Sequence, residues 1–196
     1  RKTILFRMTI AGQNPFPLPM ADRTEKVTLN IVIPVYNEEE VFKYLFEVLD
    51  ETFNDKTLDE NDIKGIEYIF VDDGSTDRSA EIIYSWIRNG APATLIQLSR
   101  NFGHQAAVCA GLEHARGDVV SVIDADLQDP PELIIDMIGL WRSGYEVVYG
   151  QRKKRRDGFM KIMGSRVFYR LLGFLADRRI PSESGDFCLV DKKVLE

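Results

Sequence analysis

The chain has 196 residues, of which 44% are hydrophobic and 29% charged, enough for one domain with a full core. Its net charge is −6, yet residues 151–180 carry +8 from ten Lys or Arg and two Asp, which argues for a local anionic partner and against general affinity for nucleic acid. No apolar run approaches the roughly 18 residues that span a bilayer, and the start lacks the apolar centre of a signal peptide.

The two ends of the chain carry little periodic pattern. Residues 1–26 are interrupted by glycine and prolines, which predicts an extended arm or a leader, with Met20 as a candidate natural start. The chain stops two residues into a predicted helix. We therefore expect it to be cut from a longer protein, with Leu195 and Glu196 as candidate vector residues.

From residue 27 onward, apolar strands alternate with amphipathic helices. The predicted strands are residues 27–35, 66–71, 93–98, 119–123 and 146–149. The predicted helices follow Asn37 and Asp77 and then span 103–115 and 133–141, while residues 54–65 are predicted to form a polar loop. This alternation predicts an α/β fold with a mostly parallel, doubly wound sheet.

Two of these helices begin with capping signals. Asn37 is predicted to cap the first helix, with the glutamates at 38–40 in its first turn. Asp129 is predicted to cap the helix at 133–141, with Pro130 at the first helical position and Glu132 completing a capping box.

The helix at 103–115 consists largely of small residues, which allows close packing on the sheet. Its Cys109 is expected to be a buried thiol rather than the partner of Cys188 in a disulfide, and nothing requires an oxidising compartment. His104 and His114 are expected on the helix surface or in packing contacts rather than in catalysis.

Polar residues follow three of the predicted strands, where parallel strands meet at one edge of a sheet. Tyr36 is placed to stack on a base, Asp72 or Asp73 to accept hydrogen bonds from a base or ribose, and Asp124 with Asp126 to hold a cation. Taken singly, the aspartates at 72 and 73 also suit a simple turn before a helix. Taken in order at successive strand ends, the three groups predict a nucleotide site.

Asp124 and Asp126 are spaced i, i+2, so both carboxylates can face one hard cation such as Mg²⁺ or Mn²⁺. Gln128 continues the spacing and is either a third oxygen ligand or a loop residue. No Gly-x-Gly-x-x-Gly motif follows the first strand and no Walker loop is present, which disfavours dinucleotide enzymes and P-loop kinases.

Together these motifs resemble the family-2 glycosyltransferases of the A-type fold, which has a Rossmann-like, mostly parallel sheet with helices on both faces. Within that family the chain is most similar to the polyprenyl-phosphate group, which includes dolichol-phosphate mannose synthase and bacterial undecaprenyl-phosphate sugar transferases. The ordered motifs lie at residues 33–38, 71–77, 99–103, 124–131 and 185–187.

The resemblance implies an inverting transfer of a sugar from a nucleotide diphosphate sugar, expected to be a UDP-sugar, to a polyprenyl phosphate at the cytoplasmic face of the cell membrane. The enzyme would depend on a divalent metal and would be a possible homo-oligomer. The expected nucleotide contacts are Pro34, Tyr36, Glu38, Asp72, Asp73, Arg100 and Asp124.

Three residues are expected to act in the transfer itself. Asp126 would hold the metal that neutralises the leaving diphosphate, and Arg152, directly after the fifth strand, would contact the substrate phosphates. Asp186 would be either a general base or an orienting residue. A base is not strictly required, because a lipid phosphate is already anionic near neutral pH. Cys188 stands where related sequences often carry an arginine, which leaves a phosphate contact from that position in doubt.

Along the chain, residues 1–26 are thus predicted to form an arm, 27–150 a nucleotide-sugar-binding core, and 151–196 an acceptor-side segment that precedes transmembrane helices. The segment combines its cations with an apolar stripe at helical spacing, which predicts either an interfacial helix on an anionic membrane or a core helix. Two rival functions remain: extension of a soluble glycan or polysaccharide, and an inactive nucleotide-sugar-binding module.

Overall fold

A seven-stranded sheet forms the centre of the protein in the computed structural model, which describes residues 6–10, 23, 25–152 and 187–195. The order of the strands across the sheet is β1-β6-β7-β5-β2-β3-β4. Strands β2 to β5 pair in parallel, whereas β7 pairs antiparallel with both β5 and β6, and β1 pairs antiparallel with β6. The strands are β1 Phe6–Ile10, β2 Val27–Val35, β3 Ile63–Asp72, β4 Ala93–Gln97, β5 Val119–Val122, β6 Val147–Arg152 and β7 Cys188–Asp191.

Six helices accompany the sheet within the described residues. They are α1 Phe42–Thr52, α2 Asp55–Glu60, α3 Ser79–Arg88, α4 His104–His114, α5 Leu133–Arg142 and α6 Lys192–Leu195. The prediction of a mostly parallel α/β sheet is confirmed, and β2 has the predicted bounds.

Alternate residues of β2 face opposite sides of the sheet, as the strand geometry requires. Leu29, Ile31 and Ile33 are fully buried in the core that α1, α3 and α5 cover, while Val32 belongs to a second core under α4. A Cβ on Gly111 of α4 would lie 2.3 Å from a methyl of Val32, so only a glycine permits this approach of helix to sheet. The expected close packing of the small-residue helix is confirmed.

The register of the strands brings their carboxyl ends together. Val35 pairs with Asp72, and Asp72 pairs with Gln97, so β2, β3 and β4 end at one level. The N–H of Ile123 donates to the carbonyl of Val32 at 3.1 Å, which places the residues after β5 at the same edge. We call this the carboxyl edge of the sheet.

Of the strands with antiparallel partners, β6 was predicted as the strand at 146–149, whereas β1 and β7 were not predicted. β1 lies within the segment expected to be an arm, and β7 inserts between β5 and β6. Phe187, which precedes β7, is buried, and a Cβ on Gly150 would lie 2.5 Å from its ring. Gly150 thus makes room for the aromatic ring beside β6.

Several predicted element boundaries are wrong. The helix expected after Asn37 begins only at Phe42, and residues 54–65 contain α2 rather than a loop, because the side chain of Asn54 caps that helix by accepting the Thr57 N–H at 3.1 Å. Asp129 does not cap α5: the N-cap position is Glu132, with no side-chain hydrogen bond there.

The expected burial of Cys109 is also wrong, because its side chain lies on the exposed side of α4, away from the sheet. Cys109 and Cys188 are not joined to each other by a disulfide. Of the helices in the described ranges, none is long and apolar enough to cross a lipid bilayer.

A cluster of polar contacts links distant parts of the chain near the amino ends of the parallel strands, opposite the carboxyl edge. Arg23 donates to Asp191 Oδ2 at 2.9 Å, and Trp141 Nε1 donates to the same oxygen at 2.8 Å. The guanidinium of Arg23 also lies 4.5 Å from the centre of the Trp141 ring and donates to the carbonyls of Trp141 and Tyr145. We call Arg23, Trp141 and Asp191 the amino-edge clamp.

Candidate functional site

The loops that follow β2 and β3 are joined by reciprocal hydrogen bonds. The N–H of Asn37 donates to Ser75 Oγ at 2.9 Å, and the N–H of Thr76 donates to Asn37 Oδ1 at 2.8 Å. The N–H of Glu38 donates to Ser79 Oγ at 2.9 Å. Asn37 adopts a left-handed backbone with φ of 56°, a conformation that asparagine tolerates better than most residues.

Pro34 and Tyr36 lie on either side of Val35, the last residue of β2, and differ in their exposure to solvent. Tyr36 is 46% exposed at the carboxyl edge, which leaves part of its ring accessible to a planar ligand. Pro34 is buried within the strand, where it pairs with Val71. Stacking of a base on Tyr36 stays a prediction.

Asp72, the last residue of β3, is buried with 2% of its surface exposed. Its Oδ1 accepts the N–H of Ser75 at 2.9 Å, and its Oδ2 accepts a long hydrogen bond from Gln97 Nε2 at 3.4 Å. The long second bond leaves Oδ2 with capacity for a stronger donor.

Asp73 is buried to a similar degree but engages both oxygens strongly. Oδ1 accepts the N–H of Phe102 at 2.7 Å, and Oδ2 accepts the N–H of Gly103 at 2.8 Å. The sequence alone left open whether Asp72 or Asp73 meets the nucleotide. A nucleotide contact by either residue stays a prediction, although both carboxylates also shape local turns.

The loop at residues 100–103 lies directly against the turn after β3. A Cβ on Gly74 would lie 2.6 Å from the carbonyl carbon of Arg100 and 2.7 Å from the nitrogen of Asn101, so no other residue fits there without movement. The Arg100 guanidinium lies 4.5 Å from the centre of the Phe102 ring, and Phe102 is 51% exposed. This loop presents a cation and an aromatic face at the carboxyl edge.

The two aspartates after β5 belong to a tight turn. Leu127 has a left-handed backbone with φ of 54°. Gln128 donates its backbone N–H to Asp126 Oδ1 at 3.0 Å and its side-chain amide to Asp126 Oδ2. Gln128 therefore contacts the expected metal ligand through its nitrogen, and a role for its oxygen as a third ligand stays a prediction.

His104 approaches one of the two aspartates that are predicted to hold the cation. It is the first residue of α4, and its Nε2 lies 3.8 Å from Asp124 Oδ1. His104 is exposed on the surface of α4, as expected, but its approach to Asp124 was not predicted. The signal available in the sequence was its position immediately after the motif at 99–103. His114, by contrast, lies on the exposed surface of α4 as expected.

The negative charges of the carboxylates at this edge repel one another. The pKa of Glu38 is raised by partial burial and then by the negative charges of Asp126, Asp77 and Asp124. Such a concentration of carboxylate oxygens is the donor chemistry that Mg²⁺ and Mn²⁺ prefer.

Within the described residues, no three His, Cys, Asp or Glu side chains converge closely enough to hold a metal ion by themselves. A divalent cation on Asp124 and Asp126 would therefore complete its coordination with other oxygens. Mg²⁺ commonly binds in this way, through one or two carboxylates together with substrate phosphates. The residues present fit that arrangement.

Two predicted catalytic residues cannot be placed against this geometry. Asp186 lies outside the described residues, as does most of the basic segment at 151–180. For Arg152 the structure describes only the backbone, as the last residue of β6.

Comparison with protein families gives one match that covers most of the chain. The profile of the family described as Glycosyl transferase family 2 matches residues 30–196. An uncharacterized glycosyltransferase, YkcC, from Bacillus subtilis (strain 168) is 47% identical over 175 residues, which cover 87% of this chain and 51% of that protein. A prophage bactoprenol glucosyl transferase homolog from Escherichia coli (strain K12) is 34% identical over 169 residues, covering 86% and 53%. The chain thus spans about half the length of these curated relatives.

Solved structures share the fold at lower identity. The mannosyltransferase PcManGT from Pyrobaculum calidifontis, solved with GDP-Man and Mn²⁺, aligns with a TM-score of 0.57 at 20% identity, covering 91% of this chain and 49% of that one. S. aureus TarS in complex with UDP-GlcNAc aligns with a TM-score of 0.54 at 19% identity, covering 84% and 45%. The architecture is the A-type glycosyltransferase fold.

Proposed function

The chain belongs to glycosyl transferase family 2, and from this premise we propose that it transfers a sugar from a nucleotide diphosphate sugar to a polyprenyl phosphate. The observation that carries the proposal is the meeting of three strand-end groups at the carboxyl edge: exposed Tyr36, buried Asp72, and the carboxylates of Asp124 and Asp126. The donor is expected to be a UDP-sugar. The 34% identity to a bactoprenol glucosyl transferase homolog supports a polyprenyl acceptor. We expect the transfer to take place at the cytoplasmic face of the membrane.

The mechanism follows from the charges of the reactants. Tyr36 stacks on the base, and Asp72 accepts a hydrogen bond from the base or ribose. Asp124 and Asp126, with Gln128 as a further candidate, hold Mg²⁺ or Mn²⁺. When bound, the cation supplies Lewis-acid neutralisation of the charge that develops on the leaving diphosphate.

The acceptor side needs cations more than it needs a base. A lipid phosphate is already anionic near neutral pH, so an oxygen of that phosphate can attack C1 of the sugar directly and invert its configuration. Arg152, the last residue of β6, is expected to contact the substrate phosphates and to reduce the repulsion between donor and acceptor. Asp186 orients the acceptor or removes a proton.

A direct assay tests this proposal. The chain is incubated with radiolabelled UDP-glucose, UDP-GlcNAc or GDP-mannose, with Mn²⁺ and a polyprenyl phosphate, and the lipid product is measured. We expect transfer from a UDP-sugar that stops when EDTA removes the metal. Transfer only to a soluble glycan would contradict the polyprenyl acceptor, and binding of UDP without any transfer would indicate an inactive binding module.

A second prediction concerns the membrane. Residues 151–180 carry +8, and each Lys or Arg near an anionic surface contributes about 1 kcal/mol of binding free energy. We expect the chain to sediment with vesicles that contain phosphatidylglycerol at low salt and to dissociate as salt screens the attraction. Changing both Arg155 and Arg156 to Glu should weaken vesicle binding and transfer to a long-chain acceptor, with UDP affinity unchanged. If wild-type protein does not bind these vesicles at low salt, the prediction that residues 151–180 dock on an anionic membrane is refuted.

A further inference from the structure

β1 lies outside the part of the chain that the family profile covers. The profile begins at residue 30, whereas β1 spans Phe6–Ile10 and adds a strand at the end of the sheet, beside β6. Its five residues pair antiparallel with residues 148–152. β1 is thus an addition to the matched unit, and it contacts that unit along the strand that leads into the basic segment at 151–180.

The end of β6 lies at the carboxyl edge of the sheet. β7 pairs antiparallel with both β5 and β6, so β6 runs in the same direction as β5. Cys188 pairs with Val122 on one side and with Tyr149 on the other, which puts those two residues at one level. Paired strands lie about 4.8 Å apart, so the backbones of Val122 and Tyr149 lie roughly 10 Å apart. Arg152 therefore ends β6 at the edge that carries Asp124.

The pairing of β6 with β7 stops short of the end of β6. The pairs reach only Tyr149, and the N–H of Gly150 then donates to the carbonyl of Phe187 at 2.9 Å. In the described ranges, Gln151 and Arg152 have no strand partner other than β1. β1 thus extends the ordered strand by two residues, into the start of the basic segment.

The backbone of β6 alternates between its two neighbours. In an antiparallel pair, residues that exchange two hydrogen bonds alternate with residues that exchange none. Gly150 donates to Phe187 on the side of β7, so the next residue, Gln151, faces β1. Arg7 stands opposite Gln151, and the alternation makes them a hydrogen-bonded pair. Met8 stands opposite Gly150, so its N–H faces away from β6.

We propose that β1 is a positioning strand, which orders the backbone of Gln151 and Arg152 at the carboxyl edge and thereby raises the affinity for the phosphate of the acceptor lipid. A backbone that is ordered before binding loses less conformational entropy when the ligand arrives. The inference rests on the proposed function, which supplies a polyprenyl phosphate as the acceptor. It gives a role to a strand that lies outside the family profile.

A proline on the inner side of β1 tests the inference. Arg7→Pro removes the N–H that faces Gln151, and proline is tolerated in an edge strand only where the N–H points outward. The amide of Gln151 should then exchange with solvent about tenfold faster. Affinity for farnesyl phosphate, measured by calorimetry, should fall about fivefold, as expected for the loss of one typical hydrogen bond.

UDP affinity is the internal control of the same variant. The residues proposed to contact the nucleoside, Tyr36 and Asp72, belong to the ends of β2 and β3, and neither strand is a neighbour of β1 or β6. UDP affinity measured with Mn²⁺ should therefore change by less than about twofold in Arg7→Pro. A strand that only covered the edge of the sheet would change neither affinity.

Two further variants are matched to Arg7→Pro. Met8→Pro introduces the same residue one position along, where the N–H faces away from β6. Arg7→Ala removes the same positive charge but keeps the N–H. Both should bind farnesyl phosphate and UDP as the wild type does, with slow exchange at Gln151. Urea unfolding should show that all three variants keep the fold, because β1 lies at the end of the sheet.

The outcomes separate this inference from the proposed function. Wild-type protein that binds no farnesyl phosphate refutes both. Wild-type protein that binds farnesyl phosphate and UDP but transfers no sugar refutes the proposed function, and a loss of farnesyl phosphate affinity confined to Arg7→Pro then still supports the positioning role. Inorganic phosphate that binds as tightly as farnesyl phosphate refutes a lipid as the ligand.

Three results refute the inference alone. The first is an Arg7→Pro protein that binds farnesyl phosphate normally, whether or not Gln151 exchanges faster. The second is a Met8→Pro or Arg7→Ala protein that reproduces the loss. The third is an Arg7→Pro protein that loses UDP affinity as strongly as affinity for farnesyl phosphate, because the substitution then acts on the fold as a whole.

Discussion

Replacing Asp126 by asparagine should reduce sugar transfer by about 100-fold or more while leaving the fold intact. The substitution keeps the size of the side chain but removes a charged oxygen from the pair with Asp124, and losing one electrostatic stabiliser of a developing charge costs about 10²–10³ in turnover. Asp126 is exposed at the turn after β5, so its substitution leaves the hydrophobic core untouched. UDP binding, measured by calorimetry, should also lose its dependence on Mn²⁺.

The control for this variant is Asp136→Asn, which alters an exposed aspartate in the first turn of α5 that is not among the predicted site residues. It should transfer sugar at the wild-type rate. Normal turnover and normal Mn²⁺ dependence in Asp126→Asn would refute the assignment of Asp124 and Asp126 as metal ligands. This conclusion would not depend on whether UDP binding itself is affected.

The second large effect is expected on stability. Asp191→Asn should lower the free energy of unfolding by about 3–5 kcal/mol, because it leaves the Arg23 guanidinium inside the amino-edge clamp without a counter-charge. The side chains of Arg23 and Asp191 are only 12% and 5% exposed, so water replaces little of the lost interaction. Urea unfolding followed by circular dichroism measures the change.

An exposed ion pair on the same molecule is the control. Lys26 Nζ lies 3.0 Å from Asp59 Oδ1, a similar separation, but the two side chains are 52% and 77% exposed. Asp59→Asn should therefore cost between about 0 and 1 kcal/mol. Equal losses from Asp59→Asn and Asp191→Asn would mean that the clamp contributes no more than a surface pair.

The sequence predicted the parts of the fold that local pattern determines. Continuous apolar runs located the central strands, and β2 was predicted with its observed ends because both faces of that strand are buried. The convergence of three strand ends followed from the parallel topology, which places those ends at one edge.

What could not be predicted depends on contacts between distant residues. α1 begins late because the N–H groups of Asn37 and Glu38 donate to Ser75 and Ser79, 38 and 41 positions away, and those bonds replace the expected cap. The approach of His104 to Asp124 depends on how the loop before α4 is anchored, and Asp73 provides that anchor from another strand. β7 has only four residues, too few for an apolar pattern in the sequence to identify it as a strand.

The place of β7 in the sheet has a consequence for the order in which the protein folds. β5 and β6 are both made before β7, yet neither pairs with the other in the described sheet, since β7 lies between them. During synthesis the edge of β5 therefore stays open until Cys188–Asp191 leave the ribosome. An open edge of apolar residues is a template for pairing with other chains, so we expect the nascent protein to be prone to aggregation until β7 has been made.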